Sequence, residues 1–444
     1  MNQPSQKTIA TLDKINIASL FIFTAFCMFS ISITQIAAFF GGLAWLLRTH
    51  LTGNWQEQRW PLGITIVLFV LACLIAVVNA FDPSYSYKEL RKLLEILIFF
   101  WVANCARENG LRNSLSILLI CSATLASIPG LYQGFIDNVN ISNRFEGTMS
   151  TYMTFAGLAM MVGLYTLGRI LFRRPLEYWF FIPLGIITAG LLFTLTRQAW
   201  FGFLIGALFL VSILEKRILW VFTVLLLTFI FLSSDHGVSN LPQLSLPDVG
   251  KTFESSKDAG ITSEKTQGEP KIFSTDSIFY NNLKFRVLRV FDGKDETLNM
   301  RLSLWEGGWL VFRDYPLTGC GFKCMDLIHH KYPDPTGVIE RLRGMHNNFI
   351  QLAVDTGVLG LSAWLGIWIC FFILISRRIK ILERNSDQRW IAYASSAAVI
   401  AFLAGGCFES SFYDSEVSML LWFIMALPFA DSNLNGPGKL NAKF

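Results

Sequence analysis

The sequence predicts an all-α fold, a polytopic transmembrane helical bundle of about twelve spans with one long outer loop that contains amphipathic helix. Three observations predict it. Of the 444 residues 53% are hydrophobic and only 16% charged, against roughly 25% charged in soluble domains. Continuously apolar runs recur along the chain, as in 62–80 (LGITIVLFVLACLIAVVNA), and a run of about 20 residues is what a helix needs to cross a hydrocarbon core. Lys and Arg also fall unevenly between alternate connections. A β-barrel is excluded, because its strands would show short segments of alternating character.

Spans are expected at 15–31, 33–47, 62–80, 88–106, 112–135, 151–171, 178–195, 198–214, 217–233, 348–376, 388–408 and 415–430. The first apolar run opens near Ile15 with no convincing cleavage site behind it, so it reads as a retained span. Residues 15–47 are too long for one helix to absorb by ordinary tilt, which favours a tight hairpin. An even span count puts both termini on one side. The connections on that side hold the clusters Arg169, Arg173, Arg174 and Arg377, Arg378, Lys380, Arg384, Arg389, whereas the short connections opposite hold only Lys88, Arg91, Lys92, Arg144 and Arg197. By the positive-inside rule both termini are cytoplasmic. The chain then divides into spans at 1–233, a long outer loop at 234–346, and spans with a cytoplasmic tail at 347–444.

The loop has two parts. Residues 234–272 are rich in Ser, Pro, Gly, Lys and Asp and read as irregular. In 296–313 (ETLNMRLSLWEGGWLVFR), Leu302, Trp305, Trp309 and Phe312 recur at helical spacing, and Pro316 ends the run. Such a helix would lie along the membrane surface. Among the eight cysteines, Cys27, Cys73, Cys105, Cys121, Cys370 and Cys407 fall in apolar runs and read as packing.

Cations retained in short outer connections call for a local reason. Arg197, in TLTRQAW between two spans, either snorkels to headgroups or offers its planar fork to phosphate oxygens. Arg144, in NRFEGTMSTY, is placed similarly. Arg301 stands one turn before Trp305 on the same helical face, where a solvated or salt-bridged role is the plain alternative. His346 opens HNNFIQLAVDTGVLG, which runs into a span. Asn347, Gln351 and Asp355 follow it at four-residue spacing, a polar stripe that must face protein or water. A helix N-terminus disfavours imidazolium and keeps the ring neutral, as a general base requires. Cys320 and Cys324, with His329 and His330 nearby, fit no common zinc spacing and could equally form a small disulfide. Glu409 and Asp414 flank the last outer turn and read as structural or network residues.

The strings TLTRQAW at 194–200, RLSLWEGGWLVFRDYPLTGCG at 301–321 and MHNNFIQLAVDTGVLGL at 345–361, in this order around one long loop, resemble the O-antigen ligase and polymerase family. The resemblance implies metal-independent, cofactor-free transfer of a glycan from an undecaprenyl diphosphate carrier to an acceptor on the periplasmic face. It puts Arg197 and Arg301 at positions that bind the donor diphosphate and His346 at the catalytic position. Arg144 and Arg343 are second-rank donors to the same charge, with Asn347, Gln351 and Trp305 in support. The Cys320 to Cys324 pair matches nothing in that pattern.

Within the resemblance, the expected function is an O-antigen ligase that joins the glycan to lipid A core. A polymerase, or a transferase to protein, uses the same donor and shares these motifs. A lipid-glycan flippase or transporter would carry ionisable residues or broken helices at mid-membrane, whereas the charges here gather at the outer interface. Expected partners are the donor, the acceptor and membrane lipids, with no nucleic acid.

Overall fold

The computed structural model describes residues 5–136, 144–215, 296–383 and 386–430, and within them every regular element is helical. Helices α1 (Gln6–Phe26) and α2 (Ile31–Thr52) form the expected hairpin. Ser30 caps α2 by accepting the Ile33 N–H at 3.4 Å, and Gly53, at φ 68°, ends it in the left-handed conformation that glycine adopts without steric cost. After α3 (Gly63–Val78) and α4 (Pro83–Tyr87), the expected span at 88–106 is α-helical only in its second half. Lys88–Ile96 is a 3-10 stretch and α5 is Leu97–Cys105. The difference has a physical reason. The first half carries Lys88, Glu89, Arg91, Lys92 and Glu95, and Glu89 is buried between Lys92 at 3.1 Å and Lys323 at 2.9 Å. Such a segment faces protein rather than lipid.

Then come α6 (Asn109–Ile136), α7 (Tyr152–Phe172), α8 (Phe181–Phe193) and α9 (Arg197–Leu214). The expected span at 217–233 and the irregular segment at 234–272 lie outside the described residues. The chain continues through α10 (Glu296–Asp314), the short α11 (Met325–Ile328) and α12 (Val338–Leu342), then α13 (Asn348–Ile381), α14 (Asp387–Gly405) and α15 (Ser415–Ala426). Six described helices are long and apolar enough to cross a membrane, and three shorter helices are apolar. The chain is a multi-pass membrane protein.

The bundle is built around α7, most of whose residues are buried. Trp390 of α14 is buried beside it, with Tyr165 of α7 edge-on to its ring at 5.2 Å, and Trp422 of α15 is buried against Phe99 and Trp368. Small residues bring α9 against α14. A Cβ at Gly202 or Gly206 would lie 2.6 Å from the Ala401 carbonyl oxygen or 2.9 Å from that of Ala397, the close approach that stabilises helix pairs where no hydrophobic drive separates helix from lipid.

Polar contacts divide between two ends. At one, Arg48 pairs with Asp13, Arg59 reaches the Phe429 carbonyl, and Arg169 and Arg173 both pair with Glu177. These residues come from the cation-rich connections. At the other end, Tyr85 donates to Asp326 at 2.7 Å, Phe322 N–H to Ser86 at 2.8 Å and Lys92 to the Tyr413 carbonyl at 3.0 Å. The first two ties dock the second part of the long loop onto the bundle, where it forms a small second core that includes Leu304, Val311, Met325, Ile339 and Met345.

Helix α10 occupies the range that its periodicity predicts and ends before Pro316. Leu302 and Trp309 stay exposed, as an interfacial helix needs, while Leu304 and Val311, which the periodicity did not single out, pack into the second core.

The long helix α13 is interrupted at Gly357, with φ 63° and ψ −165°. The loop after α10 fills the break. Cys320 N–H donates to the Val354 carbonyl at 2.9 Å and Gly321 N–H to that of Asp355 at 3.1 Å, while Val358 and Leu359 N–H donate back to Pro316 and Leu317 at 2.8 and 3.2 Å. The strings PLTGCG and VDTGVLG are therefore two halves of one backbone lock, in which helix carbonyls orphaned by the break are satisfied by the loop. The lock tolerates no side chain: a Cβ at Gly319, itself at φ 68°, would lie 2.4 Å from backbone atoms of Asp355 and Thr356. Gly319→Ala is expected to destabilise by about 2 kcal/mol through overpacking. Gly337, at φ 64° with open space around it, is the control, since alanine there costs only the left-handed penalty of about 1 kcal/mol. Thermal unfolding followed by tryptophan fluorescence checks the pair, and equal losses would remove crowding as the cause.

Candidate active site

His346 lies between the second core and α13, and its neighbours fix it from both sides. Asn347 is the α13 N-cap: its side-chain oxygen accepts from Phe349 and Ile350 N–H at 2.8 and 3.1 Å, and its amide donates to the Cys407 carbonyl at 2.8 Å. Gln351 accepts the Met345 N–H at 2.8 Å, while the Trp305 indole donates to the Met345 carbonyl at 2.9 Å. With Met345 held at both polar groups and Asn347 anchored to the cap, His346 is constrained to φ 46°, an uncommon conformation for a residue with a side chain. Asp355, the last member of the polar stripe, accepts from Gln351 at 3.1 Å and from the Tyr413 hydroxyl at 2.6 Å. The stripe is thus a hydrogen-bonded strut behind His346.

The His346 ring is oriented by Glu409, which nothing local in the sequence sets apart from Asp414. Its Nδ1 lies 3.0 Å from Glu409 Oε1. Glu409 is in turn held by the Ser410 N–H at 3.1 Å and by the Gln198 side chain at 3.4 Å. A carboxylate at this position favours the tautomer with a proton on Nδ1 and leaves Nε2 as the nitrogen with a free lone pair.

Gln198 follows Arg197, and both line a cavity of about 270 Å³ with Arg144, Tyr152, Arg301, Leu342 and His346. Arg197 is the first residue of α9, where the positive end of the helix dipole adds to its charge. Arg301 reaches the cavity from α10 beside Thr297, Met300 and Leu304. The Arg144 guanidinium lies over the Tyr152 ring at 4.4 Å. Burial pulls its pKa below the ordinary value; Tyr152 opposes this and the nearby Arg197 charge reinforces it. The cavity therefore collects cations whose mutual repulsion an anion would relieve.

Of the residues expected at the site, Arg144, Arg197, Arg301 and His346 meet at this cavity. Trp305, Asn347 and Gln351 stand behind His346 and hold its backbone. Arg343 is outside the lining: it is exposed and turns its Nε to the Glu340 carbonyl at 3.1 Å. Glu409, Gln198 and Tyr152 are additions to the expected set. Cys320 and Cys324 are paired as a disulfide with their Cα atoms 5.8 Å apart. Among the described residues no group of His, Cys, Asp or Glu is placed to hold a metal ion.

Residues 182–365 match the family model described as O-antigen ligase. No curated protein matches the chain. The matched segment contains Arg197, Arg301 and His346, whereas Arg144 and Glu409 lie beyond its ends.

Proposed function

We propose that this chain, which belongs to the O-antigen ligase and polymerase family, is an O-antigen ligase that transfers a glycan from undecaprenyl diphosphate to lipid A core. One observation carries the reading: a histidine oriented by a carboxylate opens onto a cavity lined by three arginines. That pairing supplies both needs of glycosyl transfer from a diphosphate. Nε2 of His346 takes the proton from the acceptor hydroxyl as its oxygen attacks the anomeric carbon. The bond from that carbon to the diphosphate oxygen breaks on the opposite face, so configuration inverts. Arg197, Arg301 and Arg144 stabilise the charge that develops on the leaving diphosphate, with no metal and no general acid in the scheme.

Purified protein incubated with lipid-linked glycan in excess chelator is expected to glycosylate lipid A core. Elongation of lipid-linked glycan in the absence of the core would instead identify a polymerase, and activity only on added divalent cation would overturn the arginine scheme.

In this reading the chain has about twelve spans in the bacterial inner membrane, with the cation-rich end and both termini in the cytoplasm and the cavity facing the periplasm. Cysteines introduced at Glu340 and Ser386, residues on opposite sides in this topology, test it. An impermeant thiol reagent applied to spheroplasts should label the first and spare the second. Labelling at Ser386 would reverse the orientation.

A further inference from the structure

Outside the arginine cavity, a groove of about 710 Å³ lies between α2 and the segment 91–101, with Ser415 and Met419 of α15 also in its lining. Its walls are apolar and continuous, with Phe39, Leu43 and Leu46 on one side and Leu97, Ile98 and Trp101 on the other. Two adjacent glycines of α2 show which way it opens. A Cβ at Gly41 would collide with Trp101 at 2.1 Å, whereas one at Gly42 would meet nothing within 4 Å. The groove is a built hollow on the bundle's lipid-facing surface.

Its charged end is asymmetric. Lys92 is satisfied by Glu89 and the Tyr413 carbonyl, Lys88 lies over the Tyr85 ring, and Glu95 is engaged by the Ser415 and Ser418 hydroxyls. Arg91 is exposed and, among the described residues, makes no hydrogen bond, ion pair or ring contact. It is the cation of this connection for which the fold supplies no reason. The Lys92 to Tyr413 bond ties this end to the turn before α15. There Asp414, next to the groove residue Ser415, accepts from Thr154 at 2.5 Å, and Thr154 adjoins the cavity residues Tyr152 and Met153. That bond links a sequence neighbour of the groove to a sequence neighbour of the cavity.

We propose that the groove seats the acceptor of the reaction, a phosphorylated and acylated lipid whose chains lie along Phe39, Leu43 and Leu46 and whose phosphate is met by Arg91. The inference rests on the glycosyl-transfer reading, which assigns the donor diphosphate to the other cavity and so requires a second lipid close by at the same depth. Charge complementarity names the class: one unneutralised guanidinium at the mouth of an apolar groove fits a phosphate-headed amphiphile.

Two variants of the full-length protein separate the possibilities. Arg91→Gln removes the phosphate contact, and Gly42→Leu fills the groove at a position where a Cβ meets nothing within 4 Å, at a helical site that favours leucine over glycine. Native mass spectrometry with bis-phosphorylated lipid A should show binding weakened about tenfold by either change. Arg91→Lys should restore part of it, and lipid A stripped of phosphate should bind the parent as weakly as Arg91→Gln binds the phosphorylated form. In transfer assays the KM for lipid A core should rise by the same factor while the KM for the lipid-linked donor stays unchanged. A rise in donor KM instead would assign the groove to the prenyl chain and overturn the proposal. So would phosphatidylglycerol binding as tightly and with the same dependence on Arg91, or lipid A binding indifferent to both variants. Lipid A binding that depends on Arg91 in a protein with no transfer to lipid A core would sink the ligase reading alone.

Discussion

His346→Ala is expected to lower the transfer rate roughly 10²- to 10⁴-fold, the range for removal of a positioned general base, while donor binding stays intact. The separation follows from geometry. The ring is tied to Glu409 at 3.0 Å and acts on the acceptor proton, whereas the donor's charge is assigned to the arginines. Initial rates at saturating donor, together with a binding isotherm for lipid-linked glycan, measure the two effects independently. Glu409→Gln keeps an acceptor oxygen near Nδ1 and should lose less than Glu409→Ala, which frees the ring to rotate and to exchange tautomers. Both should fall short of the loss in His346→Ala, because the base survives without its partner. If His346→Ala weakened donor binding as severely as the arginine changes, with the residual rate unchanged at saturating donor, His346 would be a diphosphate ligand and another residue would be the base.

Much of the fold is legible in the sequence wherever a single physical demand dominates. Hydrocarbon thickness sets the length of an apolar run, so described helices occur at every expected span except the one at 217–233, which lies outside the described residues. The segment 88–106 shows where that logic thins out: its charges belong to an interior ion-pair system whose partner Lys323 is distant in sequence. The candidate site divides in the same way. Arg197 and Arg144 stand out because short outer connections shed cations, and His346 because it opens a span with a polar stripe behind it, whereas Arg301, inside the long loop, is singled out only by the string that carries the family resemblance. Glu409 does not stand out, since nothing local separates a carboxylate that orients an imidazole from Asp414, a carboxylate that caps α15 through the Glu416 and Val417 N–H groups. The polar stripe of Asn347, Gln351 and Asp355 reads as facing protein or water and is buried in protein, but its role as a strut depends on Trp305 and Tyr413, residues from elements that periodicity alone cannot bring together. The break at Gly357 is equally silent, because a glycine within an apolar run carries no mark of the loop that will fill it.

Arg197→Ala and Arg301→Ala should each lower transfer roughly 10²- to 10³-fold, the range for removing one preorganised donor to developing charge, and unlike His346→Ala each should also weaken donor binding. The two residues approach the cavity from different elements, Arg197 from the first turn of α9 and Arg301 from the face of α10. That placement predicts a difference between them. Arg197 acts together with the positive end of its helix dipole, so Arg197→Lys retains a cation at an already positive terminus and should recover part of the lost affinity. Arg301 has no such support, and lysine there returns charge without the planar two-pronged fork, so Arg301→Lys should recover less. Donor titrations at two salt concentrations check that the residual binding is electrostatic, since the contribution of a lysine point charge is the part most reduced by screening. If both alanine variants bound donor as tightly as the parent and lost only rate, the arginines would act in the transition state alone, and the ground-state diphosphate would have to be held elsewhere.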